Sequence, residues 1–204
     1  MATKRKEDKI VIKLKKLHPD AVIPKYAHDG DVCMDMTAIS VEYIPEHDMY
    51  IYHTGLAFES DKNIGQFLYL RSGNCKTDAY LCNGVGVADS AIYRGEIQFR
   101  MKNRRSTLSV MKEERQYNLA DQLSKNLYKK EDVLSLIDDI ATILGPSSFN
   151  GSDVEEKAFE LAPYKVGDRV GQMVFMRYPN VEIEVVDELS DSERGENGFG
   201  STGK

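Results

Sequence analysis

A glycine-rich stretch, residues 83–97, sets the strongest limit on what this chain can fold into. It reads Asn-Gly-Val-Gly-Val-Ala-Asp-Ser-Ala-Ile-Tyr-Arg-Gly-Glu-Ile, and so many glycines in a short span disfavour a helix. After it, Ile97, Phe99 and Met101 alternate with polar residues, which is the period of a half-buried strand. The stretch therefore predicts a hairpin or loop between strands of a β protein.

The same stretch carries residues suited to binding a flat heterocycle. Glycines let a backbone approach a ligand closely and present its N–H and C=O groups. Asp89 is a candidate general base, and Tyr93 offers a flat wall for a sugar. A plain turn, in which Asp89 caps a backbone amide, is the alternative interpretation because most glycine-rich hairpins are only turns.

Apolar runs predict further strands on both sides of this stretch, at 10–17, 32–38, 49–58, 64–71, 159–161, 170–176 and 181–185. Within 32–38, Asp35 falls on the face opposite Met34 and Met36, so a carboxylate stands against an apolar layer. A surface ion pair is the simpler interpretation of Asp35. Gln172 interrupts an otherwise apolar run, which predicts a specific partner for its amide.

Residues 104–153 have a different periodicity. Leucines recur every four residues over 119–127, and apolar residues recur at helical spacing over 133–144, where Gly145-Pro146 ends the pattern. The pattern predicts an α-helical hairpin inserted into a β protein, followed by a polar loop at 147–153. Packing on its own barrel and binding of a protein partner both remain open for this insert.

Charge, cysteine content and hydropathy exclude several classes of protein. The 204 residues suit one domain, and their net charge of −6 argues against general nucleic-acid binding. The three cysteines form no CxxC pair, which argues against a disulfide framework or a zinc site. Because no apolar run is long enough to span a membrane and no signal-peptide core follows the basic start, we expect a cytoplasmic protein.

The C-terminal residues 190–204 form a polar, glycine-rich arm. Residues 198–204 match the Gly-x-x-x-x-Gly-Lys part of a P-loop, but the strand before it and the helix after it are missing. The N–H groups and hydroxyls of the arm still suit an anion. Arg194 adds positive charge, and Phe199 could close on a base. A disordered tail is the alternative.

Five separated stretches, taken in chain order, contain residues suited to binding one and the same ligand. They are Pro24 with Asp35-Met-Thr-Ala38, Arg71-Ser-Gly73, Asn83 to Gly95, Gly167-Asp-Arg-Val-Gly-Gln172, and Arg194 to Gly203. This order resembles the five-motif pattern of the homotrimeric dUTP pyrophosphatases over nearly the whole chain. The resemblance implies a mainly β, jelly-roll-like barrel that contains the helical hairpin. It also implies three active sites, each built from all three subunits.

The resemblance further implies hydrolysis of dUTP to dUMP and pyrophosphate with Mg²⁺ as cofactor. Asp89 matches the base that activates water, and Asp35 matches the carboxylate that holds Mg²⁺ through water. The matching substrate-binding residues are Arg71, Ser72, Gly73, Asn83, Gly86, Tyr93 and Gln172, with Arg194, Phe199, Gly200 and Ser201 in the closing arm.

The chain departs from the family pattern at three points. Asp89 and Tyr93 are four positions apart instead of three, which predicts a bulge near Ala91-Ile92. Cys33 stands where the family commonly has glycine, and the insert is similar in position to enlargements in some phage members. A dCTP deaminase, alone or bifunctional, and a nucleotide-gated regulator that acts through the insert are the alternative functions.

Overall fold

The computed structural model of the chain describes residues 9–126, 150–193 and 195, with side chains as far as Asn118 in the first range. These residues form mostly short strands. The strands are β1 (Lys13–Lys16), β2 (Met34–Thr37), β3 (Ser40–Ile44), β4 (Met49–His53), β5 (Leu56–Glu59), β6 (Ile64–Tyr69), β7 (Ala79–Leu81), β8 (Gly86–Ala88), β9 (Gln98–Asn103) and β10 (Arg169–Arg177). The helices are α1 (Thr107–Asn126) and α2 (Gly151–Glu160).

The strands form antiparallel sheets around one core. One four-stranded sheet has the order β2-β10-β6-β8, the other has the order β3-β4-β9-β7, and β1 pairs with β5. Both large sheets contribute to the same cluster of buried side chains, for example Met36 and Met173 from the first and Tyr52 and Phe99 from the second. The mainly β fold expected from the sequence is confirmed.

The alternation that predicted strands also places the core. Tyr50 lies opposite Met101, and Tyr52 lies opposite Phe99, across the β4–β9 pair. All four side chains are almost fully buried, because alternate residues of a strand face the same side. On β10, a Cβ at Gly171 would overlap the ring of Phe99, so the two sheets approach closely there.

The run at 49–58 is two strands and not one. The chain turns at Thr54-Gly55, where Gly55 has a φ of 66° that favours glycine. The Thr54 hydroxyl donates a hydrogen bond to the Ile97 carbonyl, with an O···O distance of 2.6 Å. The break sends β5 away from β4 and onto β1.

The first helix, α1, begins at Thr107, where Asp48 from the loop between β3 and β4 caps it. The backbone N–H and the hydroxyl of Thr107 donate to the two carboxylate oxygens of Asp48, at 3.0 and 2.7 Å. Helix α1 continues to Asn126 and so includes the start of the predicted leucine pattern. The predicted second helix at 133–144 lies outside the described residues, so the hairpin stays a prediction.

Two local predictions around α2 are wrong. Part of the predicted loop at 147–153 is helix, because the Asn150 side chain accepts a hydrogen bond from the Asp153 N–H at 2.8 Å and caps α2. The predicted strand at 159–161 is the end of α2 and the residue after it. The helix packs through Ala158, which is fully buried. Neither helix, in the residues described, has the length and apolar character needed to cross a membrane.

The strand predicted at 181–185 is absent from the described chain. Val181, Ile183 and Val185 are 77%, 84% and 93% exposed. Their alternation is typical of a strand, but a strand needs a neighbour to pair with. No other strand of the described residues pairs with this segment.

Candidate active site

The connection between β7 and β8 opens a cavity between the two large sheets. Strand β7 pairs with β9 in one sheet, whereas β8 pairs with β6 in the other. Because the two strands diverge, they leave a cavity of about 400 Å³. It is lined by Leu68, Leu81, Cys82, Asn83, Gly86, Val87, Ala88, Tyr93, Ile97, Gln98 and Arg100.

Three predicted substrate residues, Asn83, Gly86 and Tyr93, therefore line one cavity. Asn83 lies at the tip of the connection, beside Gly84, whose φ of 67° turns the chain. Gly86 has a packing role as well, because a Cβ there would come within 2.9 Å of the Leu68 Cβ. The structure thus brings these three predicted residues to one cavity, and Leu68 and Gln98 are also part of its walls.

Asp89 and Tyr93 are joined by one helical turn. The backbone N–H groups of Ile92 and Tyr93 both donate to the Asp89 carbonyl oxygen, at 2.8 and 2.7 Å. The extra residue between Asp89 and Tyr93 is thus absorbed in this turn, and the β-bulge predicted at Ala91-Ile92 is wrong. The Asp89 side chain is exposed and, among the described residues, has no hydrogen-bond or ion-pair partner.

Ser90 and Arg94, for which no role was predicted, hold this turn in place. The buried Ser90 hydroxyl lies 2.5 Å from the Ser60 hydroxyl and 3.2 Å from the Ile64 carbonyl oxygen. The Arg94 guanidinium donates to the carbonyl oxygens of Ser90 and Ala91, each at 3.0 Å. Arg94 directly follows Tyr93, and this adjacency was the available signal for its role.

Glu96 fixes the base of the cavity wall. Its carboxylate accepts a hydrogen bond from the Gly55 N–H at 2.7 Å, and it lies 2.8 Å from His53 Nδ1 and 3.2 Å from Gln98 Nε2. Burial by itself raises the pKa of Glu96, but the hydrogen bonds from His53, Gly55 and Gln98 outweigh burial and lower that pKa. Its carbonyl oxygen accepts from the Tyr93 hydroxyl at 3.1 Å.

A second group of predicted residues lies across three adjacent strands. Gln172 on β10 is in register with Asp35 on β2 and with Tyr69 on β6. Arg71 follows β6, and its Nε donates to Asp35 Oδ1 at 2.6 Å. The Gln172 amide donates to the Leu70 carbonyl at 3.0 Å, which is the partner that its position in an apolar run predicted.

Arg169 completes this second group and was not predicted. Its Nη1 donates to the other Asp35 oxygen, Oδ2, at 2.8 Å. The Asp35 side chain is 21% exposed, so two guanidinium groups hold a half-buried carboxylate. The ion pair that the simpler interpretation of Asp35 predicted is therefore present. Arg169 lies in the same Gly-Asp-Arg-Val-Gly-Gln stretch as Gln172, which was the available signal.

Ser72 and Gly73 begin a short 3₁₀ helix, Ser72–Lys76, directly after Arg71. Both residues are exposed. The Asn74 N–H donates to the Arg71 carbonyl at 2.9 Å and closes the first turn. We call residues 71–73 the Arg-Ser-Gly loop. The loop thus presents a guanidinium, a hydroxyl and backbone N–H groups at one place.

Asp89 of the first group and Arg71 of the second are far apart on one chain. Ala88 pairs with Gln66 on β6, so Asp89 is level with Gly65, six residues before Arg71. At a rise of about 3.3 Å per residue, Asp89 and Arg71 are about 20 Å apart along the strand. Arg194, Phe199, Gly200 and Ser201 lie outside the described residues.

The described residues include no cluster of three or more His, Cys, Asp or Glu side chains that would hold a metal ion by themselves. Asp35 is the only predicted metal residue, and each of its oxygens already accepts one hydrogen bond from arginine. A carboxylate has about four acceptor positions, so Asp35 can still accept from water. This arrangement fits an indirect contact to a metal ion and disfavours a direct one.

Comparisons with known proteins agree on one family. A family model described as dUTPase matches residues 155–203. The deoxyuridine 5'-triphosphate nucleotidohydrolase of Picosynechococcus sp. is 32% identical over 193 residues, which cover 94% of this chain and 98% of that protein.

Solved structures have the same fold. A variant of the Staphylococcus bacteriophage 80alpha dUTPase with dUpNHpp aligns with a TM-score of 0.59 and 21% identity, over 95% of this chain and 99% of that one. A dUTPase variant from phage phi11 of S. aureus, in which a structural Mg(II) ion is coordinated, aligns with a TM-score of 0.52 and 17% identity, over 87% and 97%. The near full-length match at 32% identity establishes that the chain belongs to the dUTPase family.

Proposed function

We propose that this chain hydrolyses dUTP to dUMP and pyrophosphate, with water activated by Asp89 as the nucleophile at the α-phosphorus. The observation that carries the proposal is the cavity lined by Asn83, Gly86 and Tyr93, with Asp89 one helical turn away from Tyr93. The naming of a near full-length relative as a deoxyuridine 5'-triphosphate nucleotidohydrolase supports the same substrate.

The cavity suits a deoxynucleoside. The backbone at its tip offers N–H and C=O groups beside the Asn83 amide, which can pair with the polar edge of uracil. The Tyr93 ring forms the wall against which the sugar packs, and a ribose 2'-hydroxyl would press on this wall. Leu68 and Leu81 supply the apolar floor.

Asp89 suits the role of general base. Its carboxylate is exposed and is not engaged by another described side chain, so it can accept a proton from water. The turn that carries it is fixed by Ser90 and Arg94. A fixed carboxylate can hold a water molecule in line with the α-phosphorus, and placement of this kind is the main demand of phosphoryl chemistry.

The Arg-Ser-Gly loop, which we call the phosphate loop from here on, suits the triphosphate. Arg71 offers charge, Ser72 a hydroxyl, and Gly73 an N–H with open space around its Cα. Asp35 orients Arg71 through Nε, which leaves the two terminal nitrogens of the guanidinium for phosphate oxygens. Gln172 supports the loop by donating a hydrogen bond to the carbonyl of Leu70, the residue before it.

Mg²⁺ is the proposed cofactor. Bound to the triphosphate, it would neutralise phosphate charge and orient the phosphates. Asp35 would hold it through water, because the oxygens of Asp35 keep free acceptor positions beside Arg71 and Arg169. The phi11 relative, which coordinates a structural Mg(II) ion, supports a role for this metal in the fold.

A homotrimer with shared sites is part of the proposal. Asp89 and Arg71 are about 20 Å apart along one chain, so a site that uses both needs a second subunit. Exposed Val181, Ile183 and Val185 support assembly, because such a row of apolar side chains needs cover. Arg194, Phe199, Gly200 and Ser201 would close over the nucleotide as an arm of 190–204.

Release of pyrophosphate from dUTP, dTTP, UTP and dCTP tests the proposed function. We expect turnover of dUTP with Mg²⁺ and at least tenfold lower kcat/KM for the other nucleotides. A dCTP deaminase, alone or bifunctional, would instead form uracil nucleotides from dCTP. Equal turnover of dTTP would contradict the cavity assignment, and absence of turnover would contradict the function.

A partner-binding role for the insert, gated by nucleotide, stays a prediction. The insert, residues 104–153, begins with α1, which is anchored through Asp48. It ends in the first turn of α2, which is anchored through Ala158. Deletion of 119–149 would keep both anchors. Equal recovery of partners with the intact protein and with the deletion variant would contradict the role.

A further inference from the structure

We propose that Tyr164 and Asn74 are positioning residues for the phosphate loop: the Tyr164 hydroxyl holds Asn74, and Asn74 holds residues 71–73. The inference rests on the proposed function, since it assumes that the loop binds the triphosphate. Neither residue is part of the groups predicted from the sequence. Both act through the loop and do not themselves contact the substrate.

Asn74 is the fixed point of the 3₁₀ helix that follows Arg71. Its backbone N–H donates to the Arg71 carbonyl at 2.9 Å, and its side-chain amide donates to the Ala79 carbonyl on β7 at 2.8 Å. Its Oδ1 accepts from the Thr77 hydroxyl at 3.0 Å and from the Tyr164 hydroxyl at 2.8 Å. Asn74 thus ties the loop to a strand and to a segment ninety residues away.

Tyr164 is itself held by the core. Its backbone N–H donates to the Tyr52 hydroxyl at 3.2 Å, and the two rings meet edge to face, with centroids 5.9 Å apart. The Tyr52 hydroxyl in turn donates to the Tyr164 carbonyl at 3.3 Å. Tyr52 is fully buried on β4. Its contacts with Tyr164 therefore tie the position of the Tyr164 hydroxyl to that of the sheet.

The Tyr164 hydroxyl is a dependable donor near neutral pH. Burial raises its pKa, and the positive charge of Arg71 lowers it by less. The phenol therefore keeps its proton, and the Asn74 oxygen can only accept. This chemistry fits the geometry of Asn74, whose amide nitrogen is already used as a donor to Ala79.

Few other contacts among the described residues support the loop on this side. Ser72 and Gly73 are exposed, and a Cβ built at Gly73 meets no atom within 4 Å. Asp35 fixes the Arg71 side chain, and Gln172 holds the carbonyl of Leu70 just before the loop. The Arg71 carbonyl within the loop is held by the Asn74 N–H. Loss of the Tyr164 hydroxyl should therefore shift the N–H groups that face the phosphates.

Tyr164→Phe in the full-length protein tests this role, with KM and kcat for dUTP and the inhibition constant of deoxyuridine measured side by side. We expect KM to rise about fivefold, the loss typical of one hydrogen bond, and kcat to change less than about twofold. The inhibition constant of deoxyuridine should stay at the wild-type value, because the nucleoside cavity does not contact Tyr164.

Tyr43→Phe is the matched control. It removes another largely buried phenol hydroxyl, which donates to Asp48 at 2.7 Å and lies outside the proposed site. A wild-type KM in Tyr43→Phe, beside a raised KM in Tyr164→Phe, supports the positioning role. Equal increases in both variants, or a parallel rise in KM and in the deoxyuridine constant, indicate general loosening and would overturn it.

A double-mutant cycle separates this role from the proposed function. Asn74→Ala alone should raise KM, and adding Tyr164→Phe should raise it no further, because the hydroxyl then has nothing to position. Full additivity would overturn the inference. If the wild-type protein turns over dUTP and Tyr164→Phe keeps its KM, this inference alone fails. If the wild-type protein does not turn over dUTP, the proposed function fails, and this role fails with it.

Discussion

The ring of Tyr93 lies so close over Gly95 that a Cβ added to this glycine would be 2.5 Å from Cζ of the phenol. The Tyr93 hydroxyl donates to the Glu96 carbonyl at 3.1 Å, so the hydroxyl end of the ring is both packed against Gly95 and held by a hydrogen bond. The orientation of Tyr93, the proposed sugar wall, therefore depends on Gly95, because the absence of a side chain there leaves room for the ring.

Gly95→Ala should push the Tyr93 ring away from its place in the cavity. We expect kcat/KM for dUTP to fall by about 10- to 100-fold, the scale on which small misplacements reduce catalysis. The matched control is Gly151→Ala at the start of α2, where a Cβ meets no atom within 4 Å. Steady-state kinetics of both variants check the prediction, and wild-type kinetics in Gly95→Ala would contradict it.

Asp89→Asn should lower kcat by about 10²–10⁴-fold, the usual contribution of a general base, while the protein stays folded and binds dUTP. An amide has the size of the carboxylate but cannot take a proton from water. Asp61→Asn, which changes another exposed carboxylate on a loop, should leave kcat unchanged. Calorimetric titration with dUTP checks binding, and a wild-type kcat in Asp89→Asn would refute the assignment of the base.

Much of the fold and of the candidate site could be predicted from the sequence, because strand alternation and short motifs are local signals. Asn83, Gly86 and Tyr93 were predicted on one hairpin, and they line one cavity. Contacts between distant segments have no such signal: the Arg169–Asp35 ion pair spans 134 positions. The motif that contains Arg169 could indicate a role beside Gln172, but neither residue type nor spacing could indicate that Arg169 pairs with Asp35.

Local predictions were wrong where tertiary contacts override the pattern. Gly55 breaks the apolar run at 49–58 because its left-handed φ turns the chain onto β1. Residues 151–160 form a helix despite a polar sequence, because Asn150 caps it and Ala158 enters the core. At 181–185 the strand pattern is present, but the described chain supplies no partner strand.

Subunits defective in different parts of the site should restore each other. If Asp89 and Arg71 act across an interface, Asp89→Asn and Arg71→Ala chains should each be nearly inactive alone. Randomly mixed trimers of the two would contain intact pairs in about a quarter of the sites. Co-expression followed by purification of the whole trimer population, homotrimers included, should therefore recover about a quarter of wild-type activity.

The control for this experiment mixes two variants of the same group, Arg71→Ala and Gln172→Ala, which lie on one side of the proposed interface. Their mixed trimers should gain no active site beyond the activity of the separate variants. Recovery equal to that of the first pair, or no recovery in either, would contradict a shared site. Mass photometry of each sample checks that the assemblies have the same size.

Glu96 should make stability depend on pH in a defined direction. Hydrogen bonds from His53, Gly55 and Gln98 lower its pKa in the folded chain below that of the unfolded chain, which is about 4.3. The charged form therefore stabilises the fold at pH above about 5, and this contribution is lost as pH falls through the folded pKa.

Glu96→Gln should thus reduce the free energy of unfolding by about 2 kcal/mol at pH 7, the scale of a charge-assisted hydrogen bond, and by progressively less below about pH 4. Glu42→Gln is the control, because Glu42 contacts the other nitrogen of His53 at 3.4 Å with a side chain that is 54% exposed, and exposed pairs contribute little. Urea unfolding at one protein concentration, from pH 3.5 to 8, measures both variants. If the difference between Glu96→Gln and the wild type were the same at pH 7 and at pH 3.5, the carboxylate charge would not be the source of the stabilisation, and the network around Gly55 would act through packing alone.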